Sequence, residues 1–283
     1  MIDVIKDTLF DSIKLLPFLF LAYLLMEYLE HKTGNKTKDI VKKSGKLGPL
    51  WGGIIGIFPQ CGFSAAAANL YAGKIITMGT LIAVFLSTSD EMLPILISEA
   101  APASLIFKIL AIKLVVGIIA GFIIDLVIRA TGKNKKVEPE EAVGHMCEHD
   151  HCDCEHGIFK SALKHTINIF IFITIITFAI NTLIHFIGEE TIEKAIAGVP
   201  VLGILVSSIF GLIPNCAGSV IITELHLSNL ISFGSMIAGL LVGSGIGILV
   251  LFKSNKNIKE NLTITGLLML VGIIVGLIID FVI

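Results

Sequence analysis

The sequence predicts an all-α integral membrane protein built from two inverted-topology repeats. Three observations support this fold class: long apolar runs, residues that recur at a fixed offset, and a lysine bias that reverses between the repeats. Of the 283 residues, 54% are hydrophobic and only 16% are charged, whereas charged residues make up about 25% of an average soluble domain. The mean hydropathy of +0.90 is likewise typical of a membrane protein.

Six apolar runs are candidates for crossing the membrane, since about 20 apolar residues span the hydrocarbon core as a helix. These runs are Leu15–Leu29, Ile75–Ser89, Leu105–Ile128, Ile167–Phe186, Leu230–Phe252 and Leu262–Ile283. The net charge is only −2, and no basic stripe indicates a nucleic-acid partner. The predicted location is the cell inner (plasma) membrane, which the chain crosses several times.

Polar and special residues recur at an offset of 155 positions. Chance explains some matches between Ile and Leu in an apolar chain, but it does not explain aligned Pro, Cys and Asp residues. The aligned pairs are Gly56 with Gly211, Pro59 with Pro214, Cys61 with Cys216, Ser64 with Ser219, Gly79 with Gly234, Gly117 with Gly272, Gly121 with Gly276, and Asp125 with Asp280. We therefore predict membrane repeats at 1–128 and 156–283, joined by a linker at 129–155.

The lysine bias of the loops reverses between the repeats. Loop 31–46 is rich in Lys, whereas its counterpart 186–200 is rich in Glu. Loop 98–104 contains no Lys, whereas its counterpart 253–261 contains Lys253, Lys256 and Lys259. Because Lys-rich loops stay in the cytoplasm, the repeats are predicted to have opposite orientations. Inverted repeats of this kind are typical of secondary transporters.

Each repeat is predicted to contain a full span, a broken segment and two more spans. In the first repeat the broken segment is 47–72, with two apolar arms that meet at Phe58-Pro59-Gln60-Cys61-Gly62. An arm of a dozen residues is only ~18 Å long as a helix, which favours two half-helices in a re-entrant hairpin. A pair of short complete crossings also returns the chain to the same side, so either arrangement keeps the topology inverted.

The two Pro-x-Cys breaks are the strongest candidates for a binding site. They read Pro59-Gln60-Cys61-Gly62-Phe63-Ser64 and Pro214-Asn215-Cys216-Ala217-Gly218-Ser219. Proline interrupts a helix, and freed backbone groups at membrane depth need protein or a wet cavity. The N-terminus of the following helix favours the thiolate form of a Cys. The alternative is a structural kink, because a free Cys also packs well in an apolar interior.

A second candidate is Ser87-Thr88-Ser89-Asp90-Glu91, inside the apolar segment 75–97. Acidic residues within a span are costly and usually functional, and their carboxylates could bind a cation or carry a coupling proton. The counterpart 242–246 is uncharged and rich in glycine, and both stretches are expected to loosen their helices. Alternatively, the acids lie near the outer interface and Pro94 ends the helix.

Asp125, Asp280 and Lys113 are further ionisable residues of the apolar runs. Asp125 and Asp280 are close to the ends of their spans, where we expect them to lie in the headgroup layer. Lys113 lies deeper in its span, and its counterpart is Leu268. Lys113 either pairs with an acidic residue or extends along its helix towards the interface.

The linker is dense in metal ligands. Its Cys and His residues are His145, Cys147, His149, His151, Cys152, Cys154 and His156. Imidazole and thiolate groups suit Zn, Cu and similar ions, so we predict a metal-binding loop, although a solvated acidic linker is the alternative. Basic residues from Arg129 to Lys136 place this linker in the cytoplasm, which puts both termini outside.

The chain resembles the family of ten-helix heavy-metal exporters, which is related to arsenic-type permeases. The matching motifs are Phe58-Pro59-Gln60-Cys61-Gly62-Phe63-Ser64, Asn69-Leu70-Tyr71-Ala72-Gly73, Ser87-Thr88-Ser89-Asp90-Glu91-Met92, Pro214-Asn215-Cys216 and the Cys/His-rich linker that ends at His156-Gly157. The resemblance covers essentially the whole chain and implies about ten helices. Members of the family carry labels such as arsenic efflux protein or manganese transporter, so the resemblance leaves the substrate open.

Together these patterns predict a secondary transporter that exports a heavy-metal or metalloid species, such as arsenic, Mn or Zn. The predicted substrate-binding residues are Gln60, Cys61, Ser64, Asn69, Ser89, Asp90, Glu91, Asn215, Cys216 and Ser219. The sequence contains no Walker-type nucleotide motif and no His-Glu-x-x-His motif, so we expect an ion gradient or a partner ATPase to supply energy and expect no enzymatic activity.

The predicted partners are the metal or metalloid substrate and the lipid bilayer. No cofactor is required, and the metal ion is expected as substrate, with the linker as a further binding place. A homo-oligomer is compatible with the sequence. The alternative function is a permease for a small organic solute or anion, in which the Cys residues are structural.

Overall fold

The computed structural model of the chain describes residues 47–58, 61–89, 92–131, 158–187, 200–214 and 216–282, together with a few residues between 13 and 24. All secondary structure in these ranges is helical. The helices are α1 (Gly48–Gly56), α2 (Cys61–Ala72), α3 (Met78–Ser87), α4 (Met92–Ser98), α5 (Ala103–Ala130), α6 (Ile158–Ile187), α7 (Pro200–Gly211), α8 (Cys216–Leu227), α9 (Phe233–Val242), α10 (Gly247–Ser254) and α11 (Ile258–Val282). The prediction of an all-helical membrane protein is confirmed.

Long continuous helices form the outside of the described part. Helix α5 has 28 residues and α11 has 25, and at 1.5 Å per residue each is long enough to cross a bilayer. Only 22% of the most apolar window in either helix is buried inside the protein. Exposed Leu, Ile and Phe side chains on both helices therefore face the lipid.

Two interrupted segments form the centre instead. Helices α3 and α4 make up the candidate span Met78–Ser98, and α9 and α10 make up Phe233–Ser254. These two segments are 75% and 83% buried in their apolar windows. The fold therefore surrounds its broken helices with protein, as interrupted backbone at membrane depth requires.

The first interruption follows Ser87. Thr88 leaves the helical conformation with ψ at 126°, and a new helix begins at Met92. Pro94 lies in the first turn of α4, where the lack of an N–H costs little. Pro94 therefore lies at the start of a helix, and the alternative that it ends one is wrong.

The second interruption follows Val242. Gly243 is extended, with φ at −66° and ψ at 96°, and Gly245 has φ at 54°. A side chain is disfavoured in that left-handed conformation, which explains glycine at position 245. Both stretches that were expected only to loosen a helix thus interrupt it completely.

Contacts recur at the sequence offset of 155. Asp125 accepts hydrogen bonds from Thr77 Oγ1 at 2.7 Å and from the Gly79 N–H at 2.9 Å. Asp280 accepts the same pair from Ser232 Oγ at 2.6 Å and from the Gly234 N–H at 2.8 Å. Each carboxylate satisfies the N-terminus of a central half-helix, where negative charge is favourable. The prediction that Asp125 and Asp280 lie in the headgroup layer did not include this role.

Glycines allow the outer helices to approach the central ones closely. A Cβ placed on Gly117 would lie 2.9 Å from the Ala83 carbonyl, and one on Gly272 would lie 2.9 Å from the Ala238 carbonyl. Small residues at such crossings are typical of helix packing in membranes. The pairs α3–α5 and α9–α11 are therefore held backbone against backbone.

Helix α2 joins the two parts of the chain by packing against α10. Ser254 Oγ donates to Asn69 Oδ1 at 2.7 Å. Beyond these helices, Lys74 and Glu260 form an ion pair at 3.3 Å, and the Tyr71 hydroxyl donates to the same carboxylate. The loop after α2 and the start of α11 consequently lie at the same end of the structure.

Candidate substrate site

A small cavity lies where the two interrupted segments meet. Its volume is about 10 Å³, room for about one water molecule. The lining residues are Thr88, Ser89, Met92, Lys113, Gly211, Ser219, Gly239, Leu240, Gly243 and Gly245. Residues from both interruptions thus line one cavity.

The first interruption contributes hydroxyl groups. Thr88 Oγ1 donates to the Val84 carbonyl at 2.7 Å, which also accepts the Thr88 N–H at 3.0 Å. Ser89 is 2% exposed, and its hydroxyl donates to the Ile57 carbonyl. Ser89 thereby connects the interruption of the central span to the end of α1.

The second interruption contributes glycines and backbone. A Cβ on Gly239 would lie 2.8 Å from the Ser207 carbonyl, and one on Gly243 would lie 3.3 Å from the Gly239 carbonyl. Without side chains, these residues leave peptide groups near the cavity wall. Ser219, in the first turn of α8, completes this side of the lining.

Lys113 is the charged residue of this lining. It belongs to α5, is 1% exposed, and its ammonium donates a hydrogen bond to the Leu240 carbonyl of α9. The side chain therefore points into the protein, which rules out its extension along the helix towards the interface. A buried ionisable residue inside a span marks a functional position by default.

The structure places four of the predicted binding residues in two different surroundings. Ser89 and Ser219 line the cavity. Ser64 and Asn69 are fully buried in the contact between α2 and α10, where a Cβ on Gly247 would meet the Ser64 side chain. Ser64 and Asn69 thus do not line the cavity and lie where α2 packs against α10.

The remaining predicted binding residues lie outside the described part. Gln60, Asp90, Glu91 and Asn215 are not in the described ranges. The backbones of Cys61 and Cys216 begin α2 and α8, but their side chains are not described. The linker ligands from His145 to His156 also lie outside. Within the described ranges, no three His, Cys, Asp or Glu side chains cluster as a metal site.

Sequence reasoning gave too little weight to three parts of the lining. Lys113 lies deep in its apolar run, where an ionisable residue is a signal in itself. Thr88 was noted only as a neighbour of the two acids. Gly243 and Gly245 interrupt a helix as well as loosening it. The available signal is their clustering in the uncharged counterpart of an acidic stretch.

A family model described as "Putative, 10TM heavy-metal exporter" matches the chain over residues 1–181 and 165–283. These two matches overlap and together cover the chain. No curated protein and no solved structure matches it. The resemblance predicted from the motifs is confirmed, as is a protein that crosses the membrane several times. The chain belongs to the family of ten-helix heavy-metal exporters.

Proposed function

We propose that this protein is a secondary exporter of a heavy-metal or metalloid species, and that the substrate passes through the cavity between the two interrupted segments. The observation that carries the proposal is that residues from both interruptions, after Ser87 and after Val242, line this one cavity. Substrate sites of secondary transporters lie at such meeting points of discontinuous helices. Membership of the exporter family supplies the direction of transport and the substrate class.

The proposed topology is two inverted repeats with a cytoplasmic linker. In this arrangement the loop after α2 and the loop before α11 are both cytoplasmic, and the contact between Lys74 and Glu260 is consistent with that. The other ends of the central spans would both face outside. There Lys108 lies 4.5 Å from the Phe233 ring centroid, across the two repeats.

The thiols of Cys61 and Cys216 are the proposed ligands for a soft substrate. Both residues begin a helix, where the positive end of the dipole favours a thiolate. Ser219, one turn after Cys216, lines the cavity. Gln60, Ser64, Asn69 and Asn215 are proposed to assist, either at the substrate or by holding the helices that carry the thiols.

Asp90 and Glu91 are proposed to bind a cation or to carry a coupling proton. They follow Ser89, which lines the cavity. Oxygen ligands favour a hard ion such as Mn, whereas thiolates favour trivalent arsenic, Zn or Cd. The Cys/His-rich linker is proposed to bind metal in the cytoplasm as an accessory to this site.

Metal tolerance of a sensitive host tests the proposal. Cells that lack their own exporters would express the protein and grow on graded As, Mn, Zn, Cu and Cd. We expect the wild type to raise tolerance to at least one metal, and Cys61→Ala with Cys216→Ala to remove that gain. A variant with Cys147, Cys152 and Cys154 all changed to Ala controls for loss of thiols in general.

The outcomes separate the parts of the proposal. A wild type that protects against none of the metals, although it reaches the membrane, contradicts metal export. Equal tolerance for the wild type and the double Cys variant contradicts the thiol mechanism alone. If Asp90→Asn abolishes tolerance while the double Cys variant keeps it, the hard-cation alternative is favoured.

A permease for a small organic solute or anion is the second candidate. The specific observation in its favour is the Lys113 ammonium in the cavity lining, because a fixed cation attracts anions. In this case Cys61 and Cys216 serve as packing residues. Flux of an organic anion into proteoliposomes, at the same rate with and without added metals, would support this candidate over metal export.

A further inference from the structure

Lys113 connects the two repeats at the end of a broken helix. Its ammonium donates to the carbonyl of Leu240, and α9 ends two residues later at Val242. The last carbonyls of a helix have no N–H partner within that helix. Positive charge is also favourable at a helix C-terminus. Lys113 therefore supplies both a donor and a charge at the place where α9 lacks them.

The corresponding break in the first repeat has hydroxyl groups where the second has an ammonium. There Ser87 Oγ donates to the Ala83 carbonyl at 2.6 Å, and Thr88 Oγ1 donates to the Val84 carbonyl at 2.7 Å. The counterpart of Lys113 is Leu268, which is fully buried and apolar. The Val84 carbonyl also accepts the Thr88 N–H at 3.0 Å, so α3 ends on local donors, whereas α9 ends on a distant ammonium.

The residues that follow α9 cannot replace Lys113. Gly243 and Gly245 have no side-chain donor, and the buried Ser244 hydroxyl makes no hydrogen bond within the described part of the chain. In transporters with broken helices, carbonyls at half-helix C-termini coordinate the coupling cation. The end of α9 has the same chemistry, but a cation covalently attached to α5 is present there.

We propose that Lys113 is a tethered cation that occupies a monovalent-cation site at the C-terminus of α9. A dissolved ion is consequently not needed at this break. The proposal rests on the proposed transport function only for its consequence in export, and the cation site itself can be tested on the purified protein. Shortening Lys113 should uncover a site for Na⁺, K⁺ or a small alkylammonium ion.

Thermal unfolding of the purified full chain in detergent is the first experiment. Wild type, Lys113→Ala and Lys113→Arg would be compared in the chlorides of choline, sodium, potassium and propylammonium at equal ionic strength. We expect Lys113→Ala to lose about 4 °C or more in choline and to regain at least half of that loss in one of the smaller cations. For the wild type and for Lys113→Arg, the unfolding temperature should be the same in all four salts.

Two controls separate a cation site from general effects. Lys108→Ala removes an exposed ammonium from the same helix and should show no selective response to cations. Neutral 1-propanol at the concentration of propylammonium should not restore Lys113→Ala. If propanol restores it equally, or if no small cation restores it, the tethered-cation proposal is overturned.

Lys113→Met keeps the experiment decisive if Lys113→Ala does not fold. Methionine retains most of the side-chain length but carries no charge, and it blocks the position to added ions. We expect it to unfold at a lower temperature than Lys113→Arg in every salt. Equal unfolding temperatures for Lys113→Met and the wild type would overturn the proposal.

Export assays extend the test to the transport cycle. In everted vesicles, we expect Lys113→Ala to export the metal at least about 5-fold faster with the restoring cation than with choline. If the unfolding temperature of Lys113→Ala depends on that cation but its export rate does not, the proposed consequence for export is overturned. If the wild type exports no metal, the proposed function fails, and the unfolding data still decide whether the cation site exists.

Discussion

The two interrupted spans share a frame, which consists of the contacts at their N-termini and the glycine contacts with the long outer helices, but their centres differ. At the N-terminus of each span, a hydroxyl residue donates a hydrogen bond to an aspartate that is distant in sequence. Thr77 donates to Asp125, and Ser232 donates to Asp280. Their interruptions then differ, with hydroxyl residues and two acids in one and Gly243-Ser244-Gly245 in the other. The frame keeps the break in place, while the difference makes the two sides of the cavity chemically unlike.

Glycine contacts of the shared frame should give the largest effect on stability. Gly117→Leu and Gly272→Leu each drive a side chain into a carbonyl of the neighbouring helix, 2.9 Å from the first added carbon. We expect each to cost about 3 kcal/mol, measured by thermal unfolding in detergent. Gly266→Leu is the matched control, because a Cβ there meets nothing within 4 Å. A tolerated Leu at one position only would show that the frames differ.

The aspartate contacts should give the next largest effect. Asp125→Ala leaves the Gly79 N–H without its side-chain acceptor and removes one partner of the Thr77 hydroxyl, which keeps Thr80 Oγ1 at 2.8 Å. We expect a loss of about 2 kcal/mol. Asp280→Ala should cost about 1 kcal/mol, because Asp280 is exposed and water can replace it. Unfolding in denaturant measures both losses. A larger loss at Asp280 than at Asp125 would contradict this account of burial.

The left-handed glycine of the second break should have a smaller effect. Gly245 has φ at 54°, so we expect Gly245→Ala to cost about 1 kcal/mol. Gly266→Ala, inside α11, should be neutral or slightly stabilising. The difference between the two unfolding temperatures checks the prediction. No difference would indicate that the second break adopts another backbone conformation.

The ion pair between Lys74 and Glu260 should have the smallest effect. Lys74 and Asn229 occupy corresponding loops, with φ at 57° and 58°, and only Lys74 has a carboxylate partner at Glu260 in the described part. Lys74→Asn keeps a residue that tolerates this conformation. We expect a loss of about 0.5 kcal/mol that disappears at high salt. A loss that does not depend on salt would indicate that the ion pair is not its cause.

The helical membrane architecture could be predicted because long apolar runs have few other stable structures. Identification of the family also followed from local motifs, above all Pro59-Gln60-Cys61-Gly62 and its neighbours. The offset of 155 drew attention to Asp125 and Asp280 but did not reveal their partners. Those partners lie 46 and 48 residues away in sequence, and only helix packing brings them together.

The cavity was harder to predict for the same reason. Ser, Thr and Gly occur in continuous membrane helices as well as in breaks, so Thr88 and Gly243 did not reveal that their helices end. Lys113 was visible as an ionisable residue in an apolar run, but its acceptor is 127 residues away in sequence. The choice between an inward and an outward direction for its side chain required the packed structure.

Filling the cavity tests the central claim most directly. Gly243→Leu places a side chain in a cavity of about 10 Å³, whereas Gly266→Leu places the same side chain in open space on α11. Metal export by everted vesicles would be measured for both variants and the wild type, at equal amounts of folded protein. The account predicts that Gly243→Leu loses export at least about 10-fold and that Gly266→Leu retains it. Equal export by all three proteins would contradict passage of the substrate through this cavity.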